Sequence, residues 1–234
     1  MTTPPVIDLI DLRFAWQDGP TLLDIPGFRV EAGERVFLRG PSGSGKSTLL
    51  GLIAGVLEPQ SGKVEVLGHD MTALSGPKRD ALRADRLGVI FQMFNLVPYL
   101  SLVQNVTLPC RFSSARREAA GGDGKLNDEA VRLLSRLGLS GERLLARPVT
   151  ELSVGQQQRV AVARALIGGP DLIIADEPTS ALDADARDRF IELLNEEASR
   201  SGSALLFVSH DASLASHFDR SVDLSEINRA KGGI

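Results

Sequence analysis

The 234-residue chain carries 26 Lys and Arg against 30 Asp and Glu, a formal net charge of −4, with 43% hydrophobic and 24% charged residues. This excludes a disordered or fibrous chain, and the length suits one domain or a domain with a subdomain. The acidic balance counts against a general nucleic-acid binder, which shows basic excess, and the single cysteine, Cys110, cannot form an internal disulfide, which fits a reducing compartment.

The N-terminal MTTPPVIDLIDL has no basic region followed by an apolar stretch, so no signal peptide is expected. VIDLIDLRF (6–14) and RVFLR (35–39) have strand patterning. GPSGSGKS follows RVFLR directly and runs into STLLGLIAGVL, an apolar helical run. KVEVL (63–67) and GVIFQ (88–92) read as further strands, the second flanked by charged helical segments. From Leu87 to Cys110 no residue is charged, yet Gln92, Asn95, Gln104, Asn105, Pro98 and Pro109 make the run a poor lipid-facing helix.

SSARREAAGGDGK (113–125), rich in Ser, Ala and Gly, reads as a mobile surface insertion. Leu126 to Leu137 has helical spacing. After Leu152 the pattern alternates: helix over 156–167, strand over 172–175, helix over 184–199, strand over 204–208. Apolar strands alternating with helices predict an α/β fold with a parallel sheet, interrupted by a mostly helical middle segment.

Gly40, Pro41, Ser42, Gly43, Ser44, Gly45, Lys46 and Ser47 fit the phosphate-loop pattern G-x-x-x-x-G-K-[ST], between a strand and a helix. Glycines let backbone N–H groups curl around phosphate oxygens, and the helix start adds unpaired donors. Lys46 is expected to reach the β- and γ-phosphates, and the Ser47 hydroxyl to bind Mg²⁺. LIIADEPT (172–179) is an apolar strand ending in two carboxylates. Ligands sit beyond the carboxyl ends of parallel strands, which places Asp176 to hold Mg²⁺ through water. Glu177 is then the candidate general base for the water that attacks the γ-phosphate.

Ser153-x-x-Gln156 alone reads as a capping box opening an amphipathic helix. But LSVGQ (152–156) followed by QQRVAVARAL resembles the signature of ATP-binding-cassette (ABC) ATPases. The phosphate loop, Gln92, LSVGQ, ADEPT, SALD (180–183) and VSH (208–210) occur in that family's order over nearly the whole chain.

The resemblance implies a single ABC ATPase domain over 1–234: a phosphate-loop core with an N-terminal antiparallel β part over about 1–75 and 160–234, and a helical signature subdomain over about 76–159. It implies ATP and Mg²⁺ as cofactors. Trp16 then stacks on adenine, and Thr48 lies with the loop around the nucleotide. Gln92 joins metal and water to the helical subdomain. Ser153, Gly155 and Gln156 touch the γ-phosphate of ATP held by a second subunit, Asp183 crosses the dimer interface, and His210 contacts the γ-phosphate. Each has a plainer alternative: Trp16 as a core aromatic, Gln92 as a surface amide, Asp183 as a helix cap, His210 as a strand-end histidine. His69 and His217 read as structural.

Val154 departs from the family, which commonly has glycine there; a β-branched residue disfavours positive φ. The implied partners are a second copy on ATP binding and integral membrane permease subunits, with no nucleic acid. The implied location is the cytoplasm, peripheral on the inner face of the membrane. The charge-free stretch, with Tyr99 in it, is expected to face the permease, and its wording is similar to the branch of lipoprotein-release, macrolide-efflux and cell-division ATPases. A phosphate-loop GTPase is disfavoured because the chain has no Asn-Lys pair for guanine reading. A non-transport ABC ATPase is disfavoured by the short insertion and single cassette.

Overall fold

The computed structural model describes residues 4–230 apart from Asp18 and Ala181. The chain begins with β1 (Ile7–Ala15), β2 (Thr21–Val30) and β3 (Arg35–Arg39). Helix α1 (Lys46–Ile53), β4 (Ser61–Val66), β5 (His69–Asp70), α2 (Gly76–Arg86) and β6 (Leu87–Ile90) follow. Next come α3 (Leu102–Thr107), α4 (Ser114–Ala119), α5 (Leu126–Arg136), α6 (Glu142–Leu145) and α7 (Val154–Leu166). The chain closes with β7 (Leu172–Asp176), α8 (Ala184–Ser201), β8 (Ala204–Ser209), β9 (Arg220–Asp223) and α9 (Leu224–Ile227).

Two sheets form. The first is antiparallel, in the order β2-β1-β4-β5, with Ile7 opposite Val30 and Phe14 opposite Leu23. Strand β2 carries Pro26 and Gly27, residues that weaken strand patterning; it sits at the sheet edge, where a proline costs no ladder bond. The second sheet is parallel, in the order β6-β7-β8-β3-β9. Strand β8 is buried along its whole length, and β7 up to Ala175, as expected of strands covered on both faces.

Side chains alternate across this sheet. Val36, Leu38, Ile174 and Leu206 pack with α1 and the antiparallel sheet, while Phe37, Ile173, Leu205 and Phe207 pack with the helices on the other side. Phe37, Phe207 and Phe218 form an aromatic group with centroids 5.0–6.2 Å apart. The range expected for the helical segment, about 76–159, also contains β6, which pairs in parallel with β7 and so belongs to this sheet.

The segment 113–125, expected as a mobile surface insertion, instead holds α4, capped by the Ser113 hydroxyl, which accepts from the Arg116 N–H. The Arg116 guanidinium is buried and donates to the carbonyls of Leu87, Ala165 and Ile167 at 2.6–3.3 Å. Two of these acceptors lie at the end of α7, where the helix dipole is negative. Burial pushes the Arg116 pKa down to about 10, so the group stays a cation at neutral pH. Pattern reading missed this anchor because Arg116 stands beside a second arginine, Arg117, in a Ser/Ala/Gly-rich stretch, and nothing local marks which of the two is buried.

Helix α5 is tied to α8 by charge. Arg132 donates to Glu129 and to the buried Glu197, and Arg200 reaches both acids. Among the described residues no helix is long and apolar enough to cross a membrane.

Candidate nucleotide site

The parallel sheet gathers the sequence motifs at one end. Strands β3, β7, β8 and β6 run in the same direction and end at Arg39, Asp176, Ser209 and Ile90. The phosphate loop, the Asp176-Glu177 pair, His210 and Gln92 therefore begin at the carboxyl edge of one sheet, where open α/β folds bind ligands.

The loop is shaped by local backbone demands. Gly45 has φ 98°, and a Cβ there would lie 2.9 Å from the Leu23 side chain, so only glycine fits between the loop and β2. The buried Lys46 ammonium donates to the Gly40 and Pro41 carbonyls at 2.8 and 2.9 Å, which leaves one of its three N–H donors. Pro41, Ser42, Gly43 and Ser47 are exposed, and Thr48 is half-buried.

Asp176 and Ser47 lie side by side. Burial pushes the Asp176 carboxyl above its ordinary range, and the adjacent Ser47 hydroxyl works against that shift. Asp176 Oδ1 and Ser44 Oγ are buried without a hydrogen-bond partner. An orphaned carboxylate oxygen beside a hydroxyl is a donor set for a hard, oxygen-seeking cation, and the residues fit Mg²⁺.

Glu177 follows with φ 47°, a positive value that is costly for a residue with a Cβ and concentrates at functional sites. Its amide donates to the Val208 carbonyl at 2.9 Å, which pins it beside β8. From there its carboxylate meets His210 Nδ1 at 3.0 and 3.1 Å, the Ser209 hydroxyl at 3.3 Å and the Lys46 ammonium at 3.9 Å. A largely buried carboxylate beside an exposed imidazole has the chemistry to accept a proton from water.

Trp16 is 55% exposed and stands edge-on to Phe14, with centroids 5.0 Å apart. It shares a cavity of about 330 Å³ with Ser47, Thr48, Asp176, Val56 and Phe91. Gln92 is exposed just past β6. The loop beyond it is fixed to α7 by Arg164, whose two terminal nitrogens donate to the Phe94 and Asn95 carbonyls at 2.6 Å. Helix α7 approaches β6 closely because Gly88 has no Cβ; one there would lie 2.5 Å from the Ala165 carbonyl. Sequence reasoning passed over Arg164; the signal was a charge inside the otherwise apolar VAVARALI.

Ser153 and Gln156 form the expected capping box at the start of α7. Among the described residues no hydrogen bond joins them to the phosphate loop, Asp176, Glu177 or His210. Val154 is 56% exposed, and Gly155 faces the Leu182 side chain. Asp183 caps α8 by accepting from the Ala186 N–H at 2.8 Å. The structure thus brings Trp16, the loop, Asp176, Glu177 and His210 together, and leaves the signature residues at a separate helix start.

Residues 23–180 match the family profile described as ABC transporter. The chain is 42% identical over 226 residues to the lipoprotein-releasing system ATP-binding protein LolD of Novosphingobium aromaticivorans, covering 95% of this chain and 97% of the relative. It is 38% identical over 231 residues to the macrolide export ATP-binding/permease protein MacB of Hyphomonas neptunium, covering 96% of this chain but 34% of the relative. The dimeric post-hydrolysis structure of the ATP-binding cassette MJ0796 bound to ADP and Pi superposes with a TM-score of 0.84 at 33% identity, over 93% of each chain. On this footing the chain belongs to the ABC transporter family, as one of its ATP-hydrolysing cassettes.

Proposed function

We propose that this chain is the ATPase subunit of a transporter that exports or extracts a lipid, lipoprotein or peptide-like substrate, working as an ATP-dependent dimer beneath a membrane permease. The carrying observation is the meeting of the phosphate loop, Asp176, Glu177 and His210 at one sheet edge. The names of the relatives, a lipoprotein-releasing protein and a macrolide exporter, support the substrate class and the export direction.

The remaining Lys46 donor and the loop amides hold the β- and γ-phosphates. Ser47, Gln92 and, through water, Asp176 would hold Mg²⁺, which would neutralise phosphate charge when bound. Glu177 takes the proton of the attacking water, and His210, fixed by Glu177, faces the γ-phosphate. Trp16 stacks on adenine. The start of α7 in one copy, with Ser153, Gly155 and Gln156, closes the open side of the γ-phosphate in the other, and Asp183 crosses between them. Dimerisation on ATP and separation after hydrolysis convert binding energy into movement.

Four large apolar side chains support the permease contact: Phe91, Met93, Tyr99 and Phe112 are exposed by 38%, 80%, 81% and 75%. Phe91 and Phe112 line one groove of about 420 Å³ with Arg83, Val89 and Pro109. Apolar surface rimmed by charge suits a protein partner, and the assembly would sit on the cytoplasmic face of the membrane. Affinity isolation from detergent-solubilised membranes should recover a permease. Recovery of only soluble nucleic-acid or ribosomal partners would overturn the transporter reading.

A further inference from the structure

We propose that Arg187 is a positioning residue that acts through Asp211 on the Glu177–His210 pair and links that pair to the loop ending at Asp183. The inference rests on the roles proposed above for Glu177 and His210. Arg187 lies in the first turn of α8, and its amide donates to the Asp183 carbonyl at 2.9 Å. Asp183 also caps that turn by accepting from the Ala186 N–H at 2.8 Å, so Asp183 is tied to the start of α8 by two hydrogen bonds. The Arg187 guanidinium pairs with the carboxylate of Asp211, the residue that follows His210 and caps the short helical turn over 212–217.

Asp211 is held in turn. Its other carboxylate oxygen accepts from the Ser213 N–H at 3.0 Å and hydroxyl at 2.7 Å. Its own amide donates to Ser209 Oγ at 3.2 Å, and that hydroxyl donates to Glu177 Oε2 at 3.3 Å. His210 therefore sits between two anchored neighbours. Ser209 is tied to the base, and Asp211 is tied to α8. A shift at Asp183 and the first turn of α8 is passed to the turn that carries His210 through the Arg187–Asp211 ion pair. The Arg187 side chain is 21% exposed and that of Asp211 35%, so the pair is partly screened from water but not part of the core. Loss of the pair should misplace the catalytic groups without unfolding the chain.

The experiment measures ATPase kcat and KM, ATP affinity by equilibrium dialysis and melting temperature for Arg187→Met, Asp211→Asn, the double variant and Arg187→Lys, with Glu177→Gln in parallel. A misplacement of about 1 Å lowers kcat about 100-fold, so a fall of about 10- to 100-fold is expected with ATP affinity unchanged. The double variant should be no slower than the slower single one, and Arg187→Lys should recover part of the rate. Full kcat in Arg187→Met or in the nearly isosteric Asp211→Asn would overturn the inference, as would independent, multiplying losses in the double variant. If Glu177→Gln stays active, the reading of Glu177 fails; if it is inactive while Arg187→Met is not, only the present inference fails.

Discussion

His210 Nδ1 lies 3.0 Å from Glu177 Oε2, and Glu177 reaches that contact from a backbone at φ 47°. The strained turn at the end of β7 aims the carboxylate across the sheet edge at β8's next residue instead of along its own strand. Lys46 stands 3.9 Å away, so the carboxylate lies within reach of both the loop lysine and the His210 imidazole. The proton-accepting role proposed for Glu177 depends on its charge, which can be removed without changing its shape. Glu177→Gln keeps the shape. It should retain ATP and lose at least about 10²-fold in turnover, the usual contribution of a general base. Steady-state phosphate release with bound-nucleotide assay checks this; near-normal turnover sinks the assignment.

Trp16 is the single tryptophan, and it is more than half exposed on the wall of the cavity that reaches Ser47 and Asp176. ATP should therefore quench the whole of the protein's tryptophan fluorescence signal. Base–aromatic stacking contributes about 1–3 kcal/mol, so Trp16→Ala should weaken ATP about 5- to 150-fold, while Trp16→Tyr should keep most of the affinity. Unchanged emission on saturation with ATP would place adenine elsewhere.

The helix start at Ser153 carries a capping box that uses the Ser153 oxygen and the Gln156 side chain internally. What it still offers outward is the hydroxyl proton, the amides of Val154 and Gly155 and the Gln156 side-chain N–H groups. Val154 is helical and exposed, which reconciles a β-branched residue with a position where the family commonly has glycine. Val154→Gly should change the ATPase rate modestly, by less than about tenfold, whereas Ser153→Arg should abolish it while single-copy ATP binding survives. A fully active Ser153→Arg variant would argue against a site shared between copies.

The acid groups between α5 and α8 set a pH dependence of stability. The Arg132 hydrogen bond holds the Glu129 carboxyl below its ordinary value of 4.5, with burial opposing and Arg200 assisting. A depressed folded-state pKa means stability that is fully present above about pH 4.5 and lost as pH falls through the lower folded value. Discounted for its partial exposure, the pair contributes about 0.5–1 kcal/mol, or about 1–4 °C in a domain of this size. Glu129→Gln should melt lower than the parent at pH 7 by that amount, and the gap should close below pH 4 and in high salt. An unchanged gap in acid would show that the carboxylate charge is not the cause.

The parallel sheet was legible because covered strands read as apolar runs: LIIA and ALLFV announce β7 and β8 without help from any neighbour. Strand β2 was not, since Pro26 and Gly27 break the pattern and are tolerated only because β2 lies at an edge. Strand β9 escaped too; RSVD is short and half-exposed at an edge of the parallel sheet. The motif residues that meet around Lys46 were readable one by one, since each sits at a strand end, where local sequence fixes the chemistry. The arginines that anchor α4 and the loop after Gln92 were not readable, because their meaning lies in the acceptor. Arg116 and Arg164 bond to carbonyls 29 to 70 positions away, and a carbonyl leaves no trace in sequence.

The central claim is that ATP joins two copies through the loop of one and the α7 start of the other. Light scattering on the Glu177→Gln variant with Mg²⁺ and saturating ATP tests it most directly, with ADP and with the Ser153→Arg, Glu177→Gln double variant as controls. The account predicts twice the chain mass with ATP, and the single-chain mass with ADP and in the double variant. A single-chain mass for Glu177→Gln at saturating ATP, or a dimer that persists with Ser153→Arg, would contradict it.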